Sequence, residues 1–544
     1  MRPKKQTPQP EWARASDTLR EASATCTAAD VEALVRLLPL ECKIGHMVMG
    51  RGLSRFTDEV MAMIRAGRMA NIQAGIAADE IRQIAEIQQT LPLPMLVGAD
   101  MEWGFTGDFL PGVSMPNAMA MGAIDDEQAA YDWAAMAARE ARAYGVNMVY
   151  GPVVDFATNP KNPMGNIRLI GSNPDQVIRL ASAMVRGYQD NGMLVSAKHY
   201  PNAAGRPEVD NHIEQGRLLC DRKTFEREEL RVYRELVKRS ALSGVMSGHV
   251  IVPSLDQHNM ATTSTILVQA LRAQGFDGVL MTDSLAMKGL RSFIKQDELL
   301  PAVLASGHDL VLIDYAQPPE RQFQQLLNTV KSGRVPESSI DVSVKRILRA
   351  KLRIARSQSV PADRAAHQAA SLAMSRRAVT VQGDLAAWRA GTRPKQTLVI
   401  IAREGAVEDV KTELANTAQF RLEQYLRHEF PGYKLLNISD NPMPLEMEQT
   451  LAMALDYQHI IFITYALFHS YKGTADLSRP LLAMIGGLRH KIDCLVLFGN
   501  PFAARHLPAL PVVMFPYWGG CAEQAAIETL AGTNKPTGRL PVVW

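Results

Sequence analysis

Between residues 45 and 315 the chain repeats one unit, a short apolar or β-branched run followed by a longer stretch with apolar residues three and four apart. The runs are HMVMG (46–50), RMANIQAG (68–75), PMLVGAD (94–100), NMVYGPVVD (147–155), GMLVSAKH (192–199), GVMSGHVIV (244–252), GVLMTDSL (278–285) and HDLVLI (308–313). Each reads as a strand. The stretches between them, such as DEQAAYDWAAMAAREARAYG and RKTFEREELRVYRELVKRSAL, are rich in Ala, Leu, Glu and Arg and read as amphipathic helices. Strand then helix, repeated eight times, has one dominant packing solution, a (β/α)8 barrel of the TIM type.

At 544 residues the chain exceeds one ordinary core. Helical, basic sequence over roughly 320–380 leads away from the barrel, and GTRPKQ opens a second strand pattern. The runs TLVIIA, YKLLNIS, HIIFITY, CLVLFGN and PVVMFPY alternate with helical pieces, which predicts an open sheet with helices on both sides, an α/β three-layer sandwich. The expected division is an N-terminal arm (1–30), a catalytic barrel (31–355), a helical linker (356–394) and a C-terminal α/β domain (395–544).

A formal net charge of +3 and the lack of a dense Lys/Arg block beyond the first few residues argue against nucleic acid and anionic membranes as partners. The 5 cysteines are scattered, with no C-x-x-C pair, so neither a disulfide framework nor a zinc ribbon is expected and a reducing compartment fits best. No stretch approaches eighteen uninterrupted apolar residues, and the first twenty carry no apolar signal core, so the expected location is cytoplasmic. A chain trimmed of a secretion signal would read the same way.

Barrel enzymes gather their chemistry at the carboxyl ends of the strands. Here Asp100 and Glu102 follow the third run, Asp155 ends the fourth, Lys198 and His199 the fifth, His249 lies in the sixth and Asp283 near the end of the seventh. Singly, an Asp after a strand caps a helix or turn, and a His satisfies itself in a core. Five successive strands delivering ionisable groups to one rim make coincidence a poor account. Asp283 could cap a helix starting near Leu285; held in a barrel mouth, it could instead be a nucleophile that forms a glycosyl ester. Such chemistry needs a second group that protonates a leaving oxygen and later deprotonates water. Asp210 and His212, two apart in VDNHIE, supply a carboxylate and an imidazole whose tautomer it can fix. Residues two apart on a helix face away from each other, so this pair requires a loop or extended segment.

With these residues in view, the sequence resembles the family 3 glycoside hydrolases, specifically the β-N-acetylglucosaminidase branch. LPLECKIGHMVM is similar to L-x-x-K-I-G-Q-M, GADMEWG to D-x-E-x-G, and PVVDFATNPKNPMGNIRLIGSNPD to P-V-x-D-V-x-x-N-P-x-N-x-x-I-x-x-R-S-F-G-x-D-P. AKHYP resembles the K-H-F-P-G-H-G block, DNH the D-S-H dyad, and LRAQGFDGVLMTDSLAMKGL the nucleophile block L-R-x-x-L-G-F-x-G-V-V-x-T-D-D-L-x-M. The resemblance implies a retaining exo-β-N-acetylglucosaminidase that removes terminal GlcNAc from cell-wall or chitin-derived saccharides and needs no cofactor. It implies Asp283 as nucleophile, His212 with Asp210 as acid/base dyad, and Asp100, Arg168, Lys198 and His199 as ligands of the terminal sugar. His249 and Trp103 form a second tier, the indole stacking on a sugar face or simply packing.

The departures are local. PNAAG replaces P-G-H-G, the dyad follows Lys198 one residue later than usual, Asn211 replaces serine, and Asp108 stands where the family commonly has a sugar-contacting arginine. They bear on substrate preference and on the conformation of the loop over 201–209. Lys198 and His199 are expected on a rigid strand end, with Asp210 and His212 on a mobile loop that closes when substrate is present. The ending G-x-x-x-P-x-G-R-L-P resembles the domain that follows the barrel in longer relatives, where structural support is the expected role.

Rival readings are a family 3 β-glucosidase or broad-specificity glycosidase, which the Asp-x-His loop disfavours, and a non-catalytic sugar-binding relative, which the retention of Asp283 and His212 disfavours. A metal-dependent hydrolase built on His199, His212, His249 and Asp283 lacks an H-x-H after the first strand, so no metal is expected. A saccharide is the expected partner, and the sequence leaves room for a homodimer.

Overall fold

The computed structural model describes residues 27–51, 57–74, 83, 86–88, 91, 93–106, 112–357, 360–391, 394–403, 413–467 and 476–543. All eight apolar runs of the first unit enter strands. These are β1 (Val48–Arg51), β2 (Asn71–Gln73), β3 (Leu96–Asp100), β4 (Met148–Tyr150), β5 (Leu194–Val195), β6 (Ala197–Tyr200), β8 (Gly244–Ser247), β9 (Val250–Val252), β11 (Val279–Thr282) and β12 (Val311–Leu312), with β7 (Gly216–Arg217) and β10 (Asp256–Met260) between them. Six pair in parallel in the order β12-β1-β2-β3-β4-β5, a half-barrel, and β11-β8-β6 form a second parallel set. Parallel bridges Val153↔Lys198 and Met281↔Leu310 join the edges of the two sets. Val48, Val97, Val149, Val195, Val245, Leu280 and Val311 are all buried, as strands covered on both faces require.

Two expected strands divide, each for a traceable reason. The fifth run changes neighbours at Ser196: β5 pairs with β4, whereas β6 pairs with β8. The sixth breaks at Gly248, where the chain following β6 crosses over it; a Cβ on Gly248 would lie 2.4 Å from that of Ala203. Beyond the break, β9 joins a small separate sheet with β7 and β10. His249 therefore lies between β8 and β9 and not inside a strand.

The helices follow the alanine pattern. Glu127–Ala143 and Pro174–Asp190 lie side by side, N-capped by Asp126 and Asn173. Ala130, Ala134, Ala137, Ala138 and Ala141 are buried and allow close approach, and a Cβ on Gly187 would meet the Tyr131 carbonyl at 2.4 Å. Among the described residues no helix is long and apolar enough to cross a membrane.

The second strand pattern forms a six-stranded sheet in the order β13-β18-β17-β16-β14-β15: β13 (Thr380–Gly383), β14 (Thr397–Arg403), β15 (Lys434–Ser439), β16 (His459–Ala466), β17 (Ile492–Gly499) and β18 (Val512–Tyr517). Five strands are parallel, and β13 runs antiparallel to β18. Leu398, Ile400, Phe462 and Leu495 face the helices Pro444–Leu455 and Arg479–Leu488, together with Met119, Ile167 and Leu169 of the first unit. Val399, Ile401, Ile463 and Val496 face Trp388, Leu422, Leu426 and Leu530 on the other side. Helices thus cover both faces. The segment over 356–394, expected to be a helical linker, carries the helices Arg364–Ala378 and Leu385–Gly391 and, between them, the edge strand β13, because the β-branched Thr380 and Val381 meet the open backbone edge of β18.

Candidate active site

At the carboxyl ends of β3, β4 and β6 a buried ion network assembles. Lys198 Nζ lies 2.5 Å from Asp100 Oδ1 and 2.9 Å from Glu102 Oε1. Arg168 donates to both oxygens of Glu102, Nε at 2.7 Å and Nη2 at 2.8 Å, a two-pronged contact that fixes both planes. Burial alone would raise the Glu102 carboxyl, but Arg168 and then Lys198 outweigh it and hold the group well below the usual range. The same balance keeps Lys198 charged: burial works to lower its pKa, and Asp100 and Glu102 more than reverse that. Asp100 differs from the others in being 56% exposed, against 3% for Lys198 and 10% for Glu102.

His199 is held from behind by Asp155. Its Nδ1 donates to Asp155 Oδ2 at 2.6 Å, and the same oxygen accepts the His199 backbone N–H at 3.0 Å. Arg168 Nη2 approaches Nε2 at 3.4 Å. Arg168 reaches this position from the short turn Asn166–Arg168, in a loop that Asn162 Oδ1 folds by accepting from the Met164 and Gly165 amides.

Asp283 directly follows β11, and its amide donates to Ser247 O at 3.0 Å. The next helix, Lys288–Arg291, begins four residues beyond Ser284 with Met287 at its N-cap, so Asp283 does not cap it. Burial pushes the Asp283 carboxyl up, yet the imidazoles of His199 and His249, the Ser284 amide and Lys198 together bring it below the usual value. His249 clamps the adjacent backbone: Nε2 donates to Ser284 O at 2.9 Å, and Nδ1 is paired with the Thr262 hydroxyl at 2.7 Å. Burial lowers the His249 pKa, against the opposing pull of Asp283.

The two-residue spacing of Asp210 and His212 has a simple geometric basis. Asp210 Oδ1 accepts from the His212 amide at 2.9 Å and from His212 Nδ1 at 2.7 Å, so one oxygen closes the turn and fixes the ring. The His212 carbonyl accepts from Lys288 N at 3.0 Å, and a Cβ on Gly289 would lie 2.2 Å from Glu214 O and 2.5 Å from Asn211 O. The dyad turn therefore rests on the short helix that follows Asp283.

The loop over 201–209 that leads to the dyad packs closely in this arrangement. Asn202, Ala203 and Ala204 are buried, Asn162 Nδ2 donates to Pro207 O at 2.6 Å, and Asn159 Nδ2 donates to Arg206 O at 2.9 Å. Asn211, in the place of serine, sends Nδ2 back to Ala203 O at 3.1 Å, and its length is what makes that bond. These amide side chains satisfy backbone groups that water would otherwise solvate, and so tie the loop to its neighbours.

Trp103 turns toward the chain after β18. A Cβ on Gly519 would meet its Cδ1 at 2.6 Å, Pro116 and Gly519 form a bridge, and Asn117 N donates to Trp518 O at 3.1 Å. Asp108 lies outside the described residues. Glu102 and Asp155 stood out on the rim in sequence but were not assigned to the site; the structure makes Glu102 the centre of the ion network and Asp155 the support of His199. Among the described residues no group of three or more His, Cys, Asp or Glu is arranged to hold a metal ion. What the arrangement offers chemically is a carboxylate, an imidazole oriented by a second carboxylate, and buried cations able to grip hydroxyls.

A family model described as the glycosyl hydrolase family 3 N terminal domain matches residues 40–350. The chain is 29% identical over 308 residues to a β-N-acetylglucosaminidase/β-glucosidase of Cellulomonas fimi, covering 53% of this chain and 53% of that protein. It is 30% identical over 264 residues to a β-hexosaminidase of Tolumonas auensis, covering 45% of this chain and 78% of the relative. The match thus spans about half the length of the Cellulomonas protein. Among solved structures, a glycoside hydrolase family 3 β-N-acetylglucosaminidase from a Paenibacillus species superposes with a TM-score of 0.80 at 25% identity, over 93% of this chain and 99% of that one.

Proposed function

The chain belongs to glycosyl hydrolase family 3, and from that premise we propose that it is a retaining exo-β-N-acetylglucosaminidase acting on terminal β-linked GlcNAc of cell-wall or chitin-derived saccharides. In this reading the half-barrel and the β11-β8-β6 set close into one (β/α)8 barrel over 31–355, and the second sheet is an α/β sandwich domain that supports it. The contacts of Gly519 and Trp518 with the rim loop after β3 support that role.

Asp283 attacks the anomeric carbon and forms a glycosyl ester while His212, oriented by Asp210, gives its proton to the leaving oxygen. In the second half His212 takes a proton from water, which opens the ester with overall retention. Lys198, Arg168, His199 and Asp100 bind hydroxyls of the terminal sugar, where contacts that tighten as the ring distorts lower the barrier. The observation that carries this reading is the Asp210–His212 clamp, docked through Lys288 and Gly289 on the helix just beyond Asp283.

The test is hydrolysis of an aryl β-N-acetylglucosaminide and the matching β-glucoside by the protein and its Asp283→Ala and His212→Ala variants. Turnover of the first substrate, lost with Asp283→Ala, is expected. No turnover of either by the unaltered protein overturns the reading. Equal or faster turnover of the glucoside would favour a broad-specificity glycosidase, a second reading motivated by the double activity in the name of the Cellulomonas relative.

A further inference from the structure

Glu229 opens the helix Glu229–Ser240 on the outside of the barrel strands, yet it is 0% exposed. Two residues of the dyad loop converge on it: Asn202 Nδ2 donates to Oε2 at 2.9 Å, and Arg206 Nε donates to Oε1. Arg206 also reaches Glu228 through Nη2, and its guanidinium lies 5.7 Å from the centre of the Phe156 ring. Asn202 has φ +148°, a backbone region that residues with a Cβ seldom occupy, and the motif this segment resembles has glycine there. Two bonds keep asparagine in that conformation, the one to Glu229 and another in which Asn202 Oδ1 accepts from Phe156 N at 3.3 Å. Burying the Glu229 carboxyl is costly: burial pushes it up to about 7 even though Arg206 and Asn202 pull the other way. A surface helix has no need of such a group, so its presence calls for a reason on the side of the loop it binds.

We propose that Glu229, acting through Asn202 and Arg206, is a positioning residue that fixes the docked arrangement of the loop of Asp210 and His212. The asparagine that departs from the motif's glycine supplies one of the two bonds of this contact. The proposal rests on the reading of His212 as the acid/base.

A misplaced acid affects substrates unequally. Protonation matters most when the leaving oxygen is basic and little when the leaving group is already a stable anion. We therefore compare a phenyl and a 2,4-dinitrophenyl β-N-acetylglucosaminide with the unaltered protein, Glu229→Gln and Asn202→Gly; the glycine suits the backbone, so the second variant loses the latch without strain. The expected result is a loss of about tenfold or more in kcat/KM for the phenyl glycoside and less than about twofold for the dinitrophenyl one. Equal losses on both substrates, or none, overturn the proposal. Amide exchange over 201–214 is measured in parallel and should speed up in both variants; unchanged exchange likewise overturns it. If the unaltered protein hydrolyses neither glycoside, the glycosidase reading fails, and the exchange result alone decides whether Glu229 latches the loop.

Discussion

Gly289 is the sharpest place to perturb the dyad from the side opposite the loop's own anchors. A Cβ there would sit 2.2 Å from Glu214 O and 2.5 Å from Asn211 O, both backbone atoms that no side-chain rotation can move. Ordinary contact begins near 3.4 Å, so Gly289→Ala must drive the turn about 1.2 Å off the helix or move the helix itself. The His212 carbonyl, which accepts from Lys288 N at 3.0 Å, lies in the path of that shift. Catalytic groups tolerate displacements of roughly 0.5 Å, and about 1 Å is enough for a hundredfold loss. The helix itself gains, since alanine is better than glycine in a helix by about 1 kcal/mol, while overpacking costs about 1–3 kcal/mol. Net stability should thus fall by no more than about 2 kcal/mol, with kcat on a phenyl β-N-acetylglucosaminide down about a hundredfold. Steady-state kinetics beside a urea melt measures both. Gly486→Ala is the control, because that helical glycine has nothing within 4 Å of its would-be Cβ. A Gly289→Ala enzyme with unchanged kcat would refute the claim that the turn's seat on this helix sets the dyad.

The ion network predicts opposite behaviour for its two carboxylates. Glu102→Gln leaves buried Lys198 and Arg168 short of a counter-charge and should cost about 3 kcal/mol of stability in denaturant melts, together with a raised KM. Asp100→Asn, at the exposed end, should raise KM while costing less than about 1 kcal/mol; similar stability losses in the two variants would refute the distinction. Lys351 is buried with Nζ 3.1 Å from His46 Nδ1 and donating to Ala70 O at 2.8 Å, and burial lowers its pKa from 10.5 to about 7. The unfolded chain therefore binds this proton more strongly, so stability should climb as pH rises from about 7 toward 10.5, with no contribution to the slope below that window. Lys351→Met should flatten the climb in unfolding midpoints measured across pH 7–10, and parallel slopes for the two proteins would refute the assignment.

How much of this was legible in the chain depends on the range of the interaction that decides each feature. The eight strand runs were readable because burial on both faces leaves a local apolar signature, and the Asp210–His212 pair because its turn spans two residues. The divisions at Ser196 and Gly248 were not, since the apolar runs continue through them and the cause is which strand happens to lie alongside. The edge strand β13 was visible as β-branched residues but was outweighed by its helical surroundings, and only the unpaired edge of β18, more than a hundred residues on, draws it into the sheet. Glu102 shows the same limit within the site. Nothing local tells it from Asp100, and the burial of one and exposure of the other follow from Arg168, brought over from the loop after β4. Glu229 is the extreme case, because FEREELRVYREL has the look of a solvated helix face in which Glu226, Glu228 and Glu229 are interchangeable. They are not, because Glu229 alone of the three is fully buried, under the loop that carries His212, where Asn202 and Arg206 both donate to it, whereas Glu228 stays part-exposed and shares Arg206. Periodicity therefore carries the architecture, while the site depends on charged pairs whose members are far apart in the chain, and each of those pairs is exposed to single-residue tests of the kind set out above.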